Sequence, residues 1–357
     1  MATSLDVINT TLSLIHDETS MLLQRATPFL GQVKDQGKVY KFNGGYNINV
    51  PVEVQTPGVI TSLDGTGYEQ LDMTARDSTQ RATYTWSRLA LPISLSGRDK
   101  AENMGDAAIV NLADVRYKSA LASMMRAINK QVVVGGVAGL SNLGTFNGLA
   151  TTGVSTGFFE NIAAGVAPPA GQSNTVGGLS KATYYNVPGW QNQFATAGGT
   201  FGADTSGAGF DALRSVRTAA ALNRNGLSEK LFHLTLASQN AYNFYEQALV
   251  NQVRFMSQKE LDSGTPSLVW NDSLMFADPD MTVYNDALGA GANVSKISFY
   301  CLNLDDITLG IHDEGDFVLT PFIEIPNQDV AVAKLIFQGG LVAKRLGGSG
   351  IITNADN

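Results

Sequence analysis

Residues 46–55 alternate strictly between apolar and polar side chains. Tyr46, Ile48, Val50, Val52 and Val54 lie in one phase, and Asn47, Asn49, Pro51, Glu53 and Gln55 in the other, which is the period of a half-buried strand. A Gly-rich polar stretch runs from Pro57 to Asp77. A second strand pattern follows, with Tyr84 and Trp86 in one phase and Leu89, Leu91, Ile93 and Leu95 in the other. The slip near Arg88 predicts a bulge or a change of burial face. Two arms of about 16 residues at about 3.3 Å each would reach on the order of 50 Å, and a lone hairpin is marginal in water. Its apolar face needs a surface to lie on. The pattern predicts that an adjacent subunit supplies it, with Ile48, Val50, Val52, Val54, Trp86 and Arg88 as the assembly contacts.

Helical spacing appears on both sides of this hairpin. Leu5, Ile8, Leu12, Ile15 and Leu22 predict an amphipathic arm over residues 5–25, ahead of Pro28. Met104, Ala108, Leu112, Val115, Ala122, Met125 and Ile128 form one stripe of a helix over about 103–130, about 40 Å long and well above the usual length in globular domains. Val132–Val134 reads as a short strand, and Thr151 to about Ser180 as loop by composition. A helix is expected from Phe210 to Asn225 with Gly226 as its C-cap, then a strand from Leu231 to Leu236 and a helix capped by Ser238 that runs to Leu249. Strands are expected at Leu268–Trp270, Leu274–Phe276, Ile297–Leu302 and Ile307–Ile311. Phe317–Ile325 and Val330–Lys344 form a final antiparallel pair joined near Pro326 and Asn327. Helices and strands mix without a βαβ repeat, so the class is α+β.

Composition narrows the function. The chain has 357 residues, 44% of them hydrophobic, with 37 glycines and 11 prolines, which predicts a loop-rich globular protein. The single cysteine, Cys301, excludes an intramolecular disulfide and cysteine-cluster metal sites. Its expected role is a small buried apolar residue. No stretch of 18 uncharged apolar residues and no basic leader followed by an apolar segment is present, so a membrane-spanning or exported protein is not expected. With 24 basic and 32 acidic residues the formal charge is −8, so contact with DNA should be weak and non-specific.

Candidate chemistry is sparse. Gly139–Thr145 has the spacing of a phosphate-binding loop but lacks its lysine, and its glycines read as turn residues. His16, His233 and His312 lie too far apart in sequence for a zinc motif. Asp305, Asp306, Asp313, Glu314 and Asp316 gather acidic charge without the calcium-loop spacing. As a glycosidase pair they would need a sugar cleft, and a carbohydrate-active hydrolase or binding protein is the alternative from a different class. No Gly-x-Ser-x-Gly elbow occurs. Trp86, Trp190 and Trp270 read as core or interface residues. No catalytic, cofactor-binding or metal-binding set is predicted, and the expectation is a structural protein.

Several segments, in order, carry a resemblance. They are Leu143-Gly144-Thr145-Phe146-Asn147-Gly148-Leu149 after the long helix, Gly177-Gly178-Leu179-Ser180-Lys181-Ala182-Thr183-Tyr184, Trp190-Gln191-Asn192-Gln193 and Asp278-Pro279-Asp280-Met281. The closing run extends from Gln328-Asp329 through Gly340-Leu341-Val342-Ala343-Lys344-Arg345. With the arm, hairpin and long helix, the chain resembles the major capsid (coat) proteins of tailed bacteriophages, the Hong Kong 97-like fold that also forms encapsulin shells.

The resemblance implies an N-terminal arm (1–36), an extended hairpin loop (37–100), a spine helix with peripheral domain (101–205), an axial domain (206–316) and C-terminal return strands of the peripheral domain (317–357). It implies hexamers and pentamers in an icosahedral head around double-stranded DNA, assembled in the host cytoplasm and found in the virion, with no cofactor. An encapsulin-type nanocompartment is the alternative of the same fold. Some relatives cross-link their shells from a hairpin lysine to an asparagine. Here no lysine lies between Lys41 and Lys100, so a non-covalent shell is expected, with a decoration protein as reinforcement. The short stretch before the hairpin leaves no room for a fused scaffolding domain, so a separate scaffolding protein and a portal are the expected partners.

Overall fold

The computed structural model describes residues 27–54, 61–62, 65, 71, 78–102, 106–148, 157–162, 175–185, 190–197, 208–223, 230–251, 268–271, 273–288 and 296–355. The expected N-terminal helix over 5–25, Gly226 and the middle of the hairpin lie outside them. The described residues begin with helix α1 (Pro28–Asp35), strands β1 (Val39–Phe42), β2 (Asn47–Glu53), β3 (Thr79–Thr85) and β4 (Ser87–Ser96), the short helix α2 (Gly97–Glu102) and the 28-residue helix α3 (Asp106–Val133). Short strands β5 (Asn147–Gly148), β6 (Phe159–Glu160), β7 (Thr175–Val176) and β8 (Leu179–Ser180) follow, then β9 (Gln193–Thr196), α4 (Ala208–Asn223), β10 (Leu234–Ala237) and α5 (Gln239–Asn251). The remainder is β11 (Leu268–Trp270), β12 (Ser273–Ala277), α6 (Pro279–Leu288), β13 (Ile297–Leu302), β14 (Ile307–His312), β15 (Val318–Leu319), β16 (Ile323–Glu324), β17 (Val330–Ala343) and β18 (Gly350–Thr353).

Strand β17 organises the first sheet. It pairs antiparallel with β4 from Val330↔Ser96 to Gly339↔Ser87, and with β14 from Gly339↔Ile311 to Ala343↔Ile307. It also takes β15 and β16, and β1 closes the far side by running parallel to β14. The expected final antiparallel pair is thus present. Its first member is two short strands, and Phe317, expected to open that strand, instead adopts a left-handed φ of 52°. Strand β1, within the stretch read as hairpin, pairs with β14 and not with β2.

A second six-stranded sheet, in the order β11-β12-β10-β13-β18-β9, is buried on both faces and separates two cores. Tyr300 and Leu302 of β13 face the core that holds α3, while Phe299 and Cys301 face α4 and α5. Strict alternation would put Ile297 with Phe299, yet it lies in the α3 core. A register shift between Ile297 and Phe299 turns the side chain over, as a bulge does. Burial pushes the Cys301 thiol up to about 12, consistent with its expected role as a small core residue.

Helix α3 continues through Val133, where the sequence pattern placed a strand. It stops at Gly135, with φ of 82° and its N–H bonded to the Lys130 carbonyl, a left-handed C-terminal stop. The buried stripe is Ala113, Tyr117, Leu121, Met124 and Ile128. Val115, expected on the buried face, is 60% exposed. At about 100° per residue it sits roughly opposite Ala113 and Tyr117, and the buried Tyr117 set the true phase. Phe146, just beyond the helix, fills the core against Phe29, Phe159 and Tyr300 at ring separations of 5.0–5.8 Å.

The expected cap of α5 is present, since Ser238 Oγ accepts from the Ala241 N–H at 3.3 Å. Helix α6 was not anticipated. Pro279 suits a first helical position, and Asp278 Oδ1 accepts from the Asp280 N–H at 2.9 Å. Asn129 of α3 donates to Asp278 (3.1 Å) and Asp280 (3.0 Å), which ties the two helices together.

Burial, outweighing the Asn129 hydrogen bond and helped by the neighbouring Asp280 charge, holds the Asp278 carboxyl above its ordinary value of 3.8. The folded subunit then binds more protons than the unfolded chain above pH 3.8, so this group's contribution is fully present below that pH and is lost as pH rises through the folded value. Asp278→Asn keeps a capping side chain and removes the titration. In urea unfolding of the unassembled subunit, the variant should gain stability relative to the parent as pH rises from about 4 to 7. A difference that does not change with pH would contradict this reading.

Candidate assembly surfaces

The hairpin base is the first place to look for a contact surface. Strands β2 and β3 pair from Asn47↔Thr85 to Glu53↔Thr79. Ile48, Val50, Val52 and Val54 all point inward, as their alternation predicts, but none is open to a neighbour: each is at most 8% exposed within the single chain. The cover comes from the chain itself. Ile48 approaches Gly310 of β14, where an added Cβ would lie 3.2 Å from its Cδ1. Tyr84 Oη donates to the Ala343 carbonyl at 2.9 Å, the Thr83 N–H donates to the Gly177 carbonyl at 2.8 Å, and Arg345 pairs with Glu53 at 3.4 Å. Gly177 is required in the β7–β8 turn, because φ is 59° and a Cβ would meet Ala82 and Tyr84 at 2.9 Å. The prediction that another subunit covers these four residues is therefore corrected. Their face had a partner, but the partner lay later in the same chain.

Trp86 and Arg88 remain at the surface. β3 ends at Thr85 and β4 starts at Ser87 on a different sheet, so Trp86 is the one residue between two ladders. That switch is the phase slip read from the sequence. The half-exposed indole donates to the Gly45 carbonyl at 2.9 Å and meets Phe42 and His312 edge-on at 6.0 and 5.5 Å. Tyr46, next to it, is 91% exposed, and Arg88 is exposed on β4 opposite Gln338. The result is an aromatic corner with an adjacent cation, the residue types enriched at protein interfaces.

A second surface lies between β4 and α3. An open groove of about 600 Å³ is lined by Leu91, Pro92, Val115, Arg116, Ala120 and Val330, among others. Arg116 crosses it, paired with Asp99 at 2.6 Å and donating to the Ser94 carbonyl, and its hydrogen bond holds the Asp99 carboxyl below its usual value. Since the Ser94 carbonyl faces the edge of β4 that pairs with no strand among the described residues, Pro92 presents its missing N–H there too, which blunts that edge against further strand pairing. Next to the groove, at the Gly97–Asp329 backbone bond, residues 323–329 form an exposed finger that carries Ile323, 67% exposed, and Ile325. The sequence reading missed this finger, although two isoleucines flanking Glu324 before a proline and a polar run were its signal.

The other candidates fall into structural roles. Asp305 pairs with Lys38 at 2.5 Å and lies 3.7 Å from His233, while Asp316 pairs with Lys41 at 3.5 Å. The acidic run is split between the two ends of β14. Among the described residues no group of three or more His, Cys, Asp or Glu side chains is placed to hold a metal ion. The glycines of the loop at 139–144 take left-handed φ values around a short 3₁₀ turn (Ser141–Leu143). Trp190 is fully buried and Trp270 stacks on Phe232 at 6.2 Å. His16 lies outside the described residues.

No family model and no curated protein matches the sequence. Solved structures do. The capsid of an empty GTA particle is similar over 90% of this chain and 95% of its own, with TM-score 0.54 at 12% identity. The capsid asymmetric unit of cyanophage A-1(L) is similar over 92% of each chain, with TM-score 0.56 at 15% identity. At such identities the likeness is one of architecture, and it covers nearly the whole of each chain. The chain has the α+β, Hong Kong 97-like fold of phage capsid proteins.

Proposed function

We propose that this chain is the major capsid protein of a tailed phage, a structural subunit that assembles as hexamers and pentamers into an icosahedral head around double-stranded DNA. The observation that carries this reading is the near-complete, end-to-end likeness to two capsid subunits with no large part left over. In this reading the aromatic corner at Trp86 and the β4–α3 groove are covered by neighbouring copies. A single chain leaves Val115, Ile323 and Tyr46 in water, and burial of such side chains is what stabilises a large obligate interface. The net charge of −8 keeps contact with packaged DNA weak and non-specific. A separate scaffolding protein, a portal and a decoration protein complete the proposed set of partners.

Electron microscopy of the purified protein, alone and together with the proposed scaffolding protein, should show closed shells tens of nanometres across. A soluble monomer or small oligomer under both conditions would overturn the reading. Mature particles boiled in denaturing gel buffer should release a single band at the monomer position, because the hairpin carries no lysine between Lys41 and Lys100. A ladder of covalent oligomers would contradict a shell held by packing alone.

Replacing Trp86 by alanine tests the aromatic corner. A central interface aromatic is worth about 2 kcal/mol or more at each contact, while a half-exposed ring should cost the isolated subunit less than about 2 kcal/mol. Shell yield should therefore fall at least about tenfold while the urea midpoint of the subunit shifts little. Shells at parental yield would remove Trp86 from the interface.

A further inference from the structure

Three Asn-Gly steps occur in the sequence, at Asn43-Gly44, Asn147-Gly148 and Asn225-Gly226. In this dipeptide the glycine nitrogen can reach the asparagine Cγ with little hindrance, because glycine has no Cβ and adopts conformations closed to other residues. Asn225-Gly226 lies outside the described residues. The fold treats the other two steps in opposite ways.

Asn43 and Gly44 sit in the connection between β1 and β2, and both are exposed. Gly44 and Gly45 take φ of 89° and 103°, and a Cβ built at Gly44 would meet nothing within 4 Å. Neither the Asn43 carboxamide nor the Gly44 N–H is hydrogen-bonded to a described residue. The strands on either side are fixed by separate ladders, β1 on β14 and β2 on β3, so the residues between them can move without opening a sheet. Asn147 is locked by comparison. Its Nδ2 donates to the Val134 carbonyl at 2.9 Å, its N–H donates to Thr145 Oγ1 at 3.2 Å, and β5 is paired with β6. Gly148 is pressed on that partner strand, since a Cβ there would lie 1.7 Å from the Phe159 carbonyl oxygen.

We propose that Asn43 is a modification site, where the folded subunit converts asparagine spontaneously to isoaspartate and aspartate. The Gly44 nitrogen gives its proton to hydroxide and attacks Asn43 Cγ. The Cγ–Nδ2 bond breaks, and Nδ2 takes a proton from water and leaves as ammonia. Water then opens the resulting succinimide: cleavage of the new Cγ–N bond gives aspartate, and cleavage at the former main-chain carbonyl gives isoaspartate, with Gly44 linked through the side chain. One water enters and one ammonia leaves, and no oxidant, metal or cofactor is needed. Each product adds a carboxylate, and isoaspartate also lengthens the backbone by a methylene. The change falls two residues before the Gly45 carbonyl that accepts from the Trp86 indole, and three before the exposed Tyr46. An aged subunit thus differs from a new one in charge and loop length at the aromatic corner. The free α-carboxylate of isoaspartate is the group that a protein-isoaspartate methyltransferase esterifies, its oxygen taking the methyl of S-adenosylmethionine and leaving S-adenosylhomocysteine. The aged loop is a substrate for that class of repair enzyme.

Peptide mapping by mass spectrometry of the unassembled full chain, before and after several weeks at body temperature in mildly alkaline buffer, tests this independently of the proposed shell. The peptide that contains Asn43 should become heavier by the difference between water and ammonia, with fragmentation placing the gain at Asn43. The rate should rise with pH, because the deprotonated amide is the attacking species. Isoaspartate methyltransferase with labelled S-adenosylmethionine should mark the same peptide. Asn147 can react only when its segment opens locally, so it should convert at least about tenfold more slowly than Asn43, whereas in urea, where neither is held, the two should convert at similar rates. Asn43→Gln, which removes the five-membered ring, should suppress the gain at this peptide while circular dichroism shows the parental fold. An Asn43 that keeps its amide in the folded chain but loses it in urea would overturn the proposal. Conversion of Asn147 as fast as Asn43 in the folded chain would overturn it too, since the fold would then not select the site.

Discussion

The first sheet depends on one ladder, the backbone of Val330–Ala343. Its upper half serves the return arm of the hairpin and its lower half serves β14, so one strand joins the hairpin to the body of the subunit. Hydrogen bonds at the lower half are met on both sides within the protein, and burial follows. The strand alternates from Val330 to Gln338 and is continuously buried from Gly340 to Ala343. Glycine at 339 is imposed by crowding, since a Cβ there would lie 2.9 Å from the Gly310 carbonyl oxygen. Without this ladder, β4 would be an isolated strand beside a long helix.

The sequence showed elements well and partners poorly. Alternation from Ile48 to Val54 identified a half-buried strand, because period 2 is a local property. What covers that face is set by distant residues, from the turn at Gly177 to Gly310 and Ala343, and no local pattern encodes it. The phase slip near Arg88 was visible for the same local reason, and its cause, a strand that leaves one sheet for another at Trp86, is a matter of long-range pairing. Val115 shows the converse failure. A strong apolar residue pulled the expected stripe of α3 toward itself, while Tyr117, amphipathic and less telling, carried the buried face. Helix α6 was missed because its opening Asp-Pro-Asp reads as a turn until Asp278 is seen capping it and held by Asn129.

The low identity to the capsid structures that share the fold follows from the same physics. The second sheet needs apolar side chains on both faces and a bulge at the right place, but many residue combinations meet that requirement. Specific chemistry is confined to a few positions: glycines where strands cross or turns need left-handed φ, and the Asn129–Asp278 tie between helices. A pattern this permissive keeps its architecture while its sequence drifts beyond recognition by family comparison.

The corrected hairpin also changes what a neighbouring subunit would grip. If the valine face were free, the arm would attach along its whole length, and a mutation anywhere in β2 would affect assembly. With Ile48 to Val54 buried in the chain's own core, the base of the arm is part of the subunit core. Substitutions there act on folding. In the proposed shell the intersubunit role would then fall on surfaces the single chain leaves open: the aromatic corner at Trp86, where backbone pairing passes from one sheet to the other, and the groove beside β4. Both flank the same strand. A partner seated on either would bear on β4 and, through ten paired residues, on β17, so in the proposed shell subunit stability and assembly would be coupled through the one ladder on which the first sheet is built.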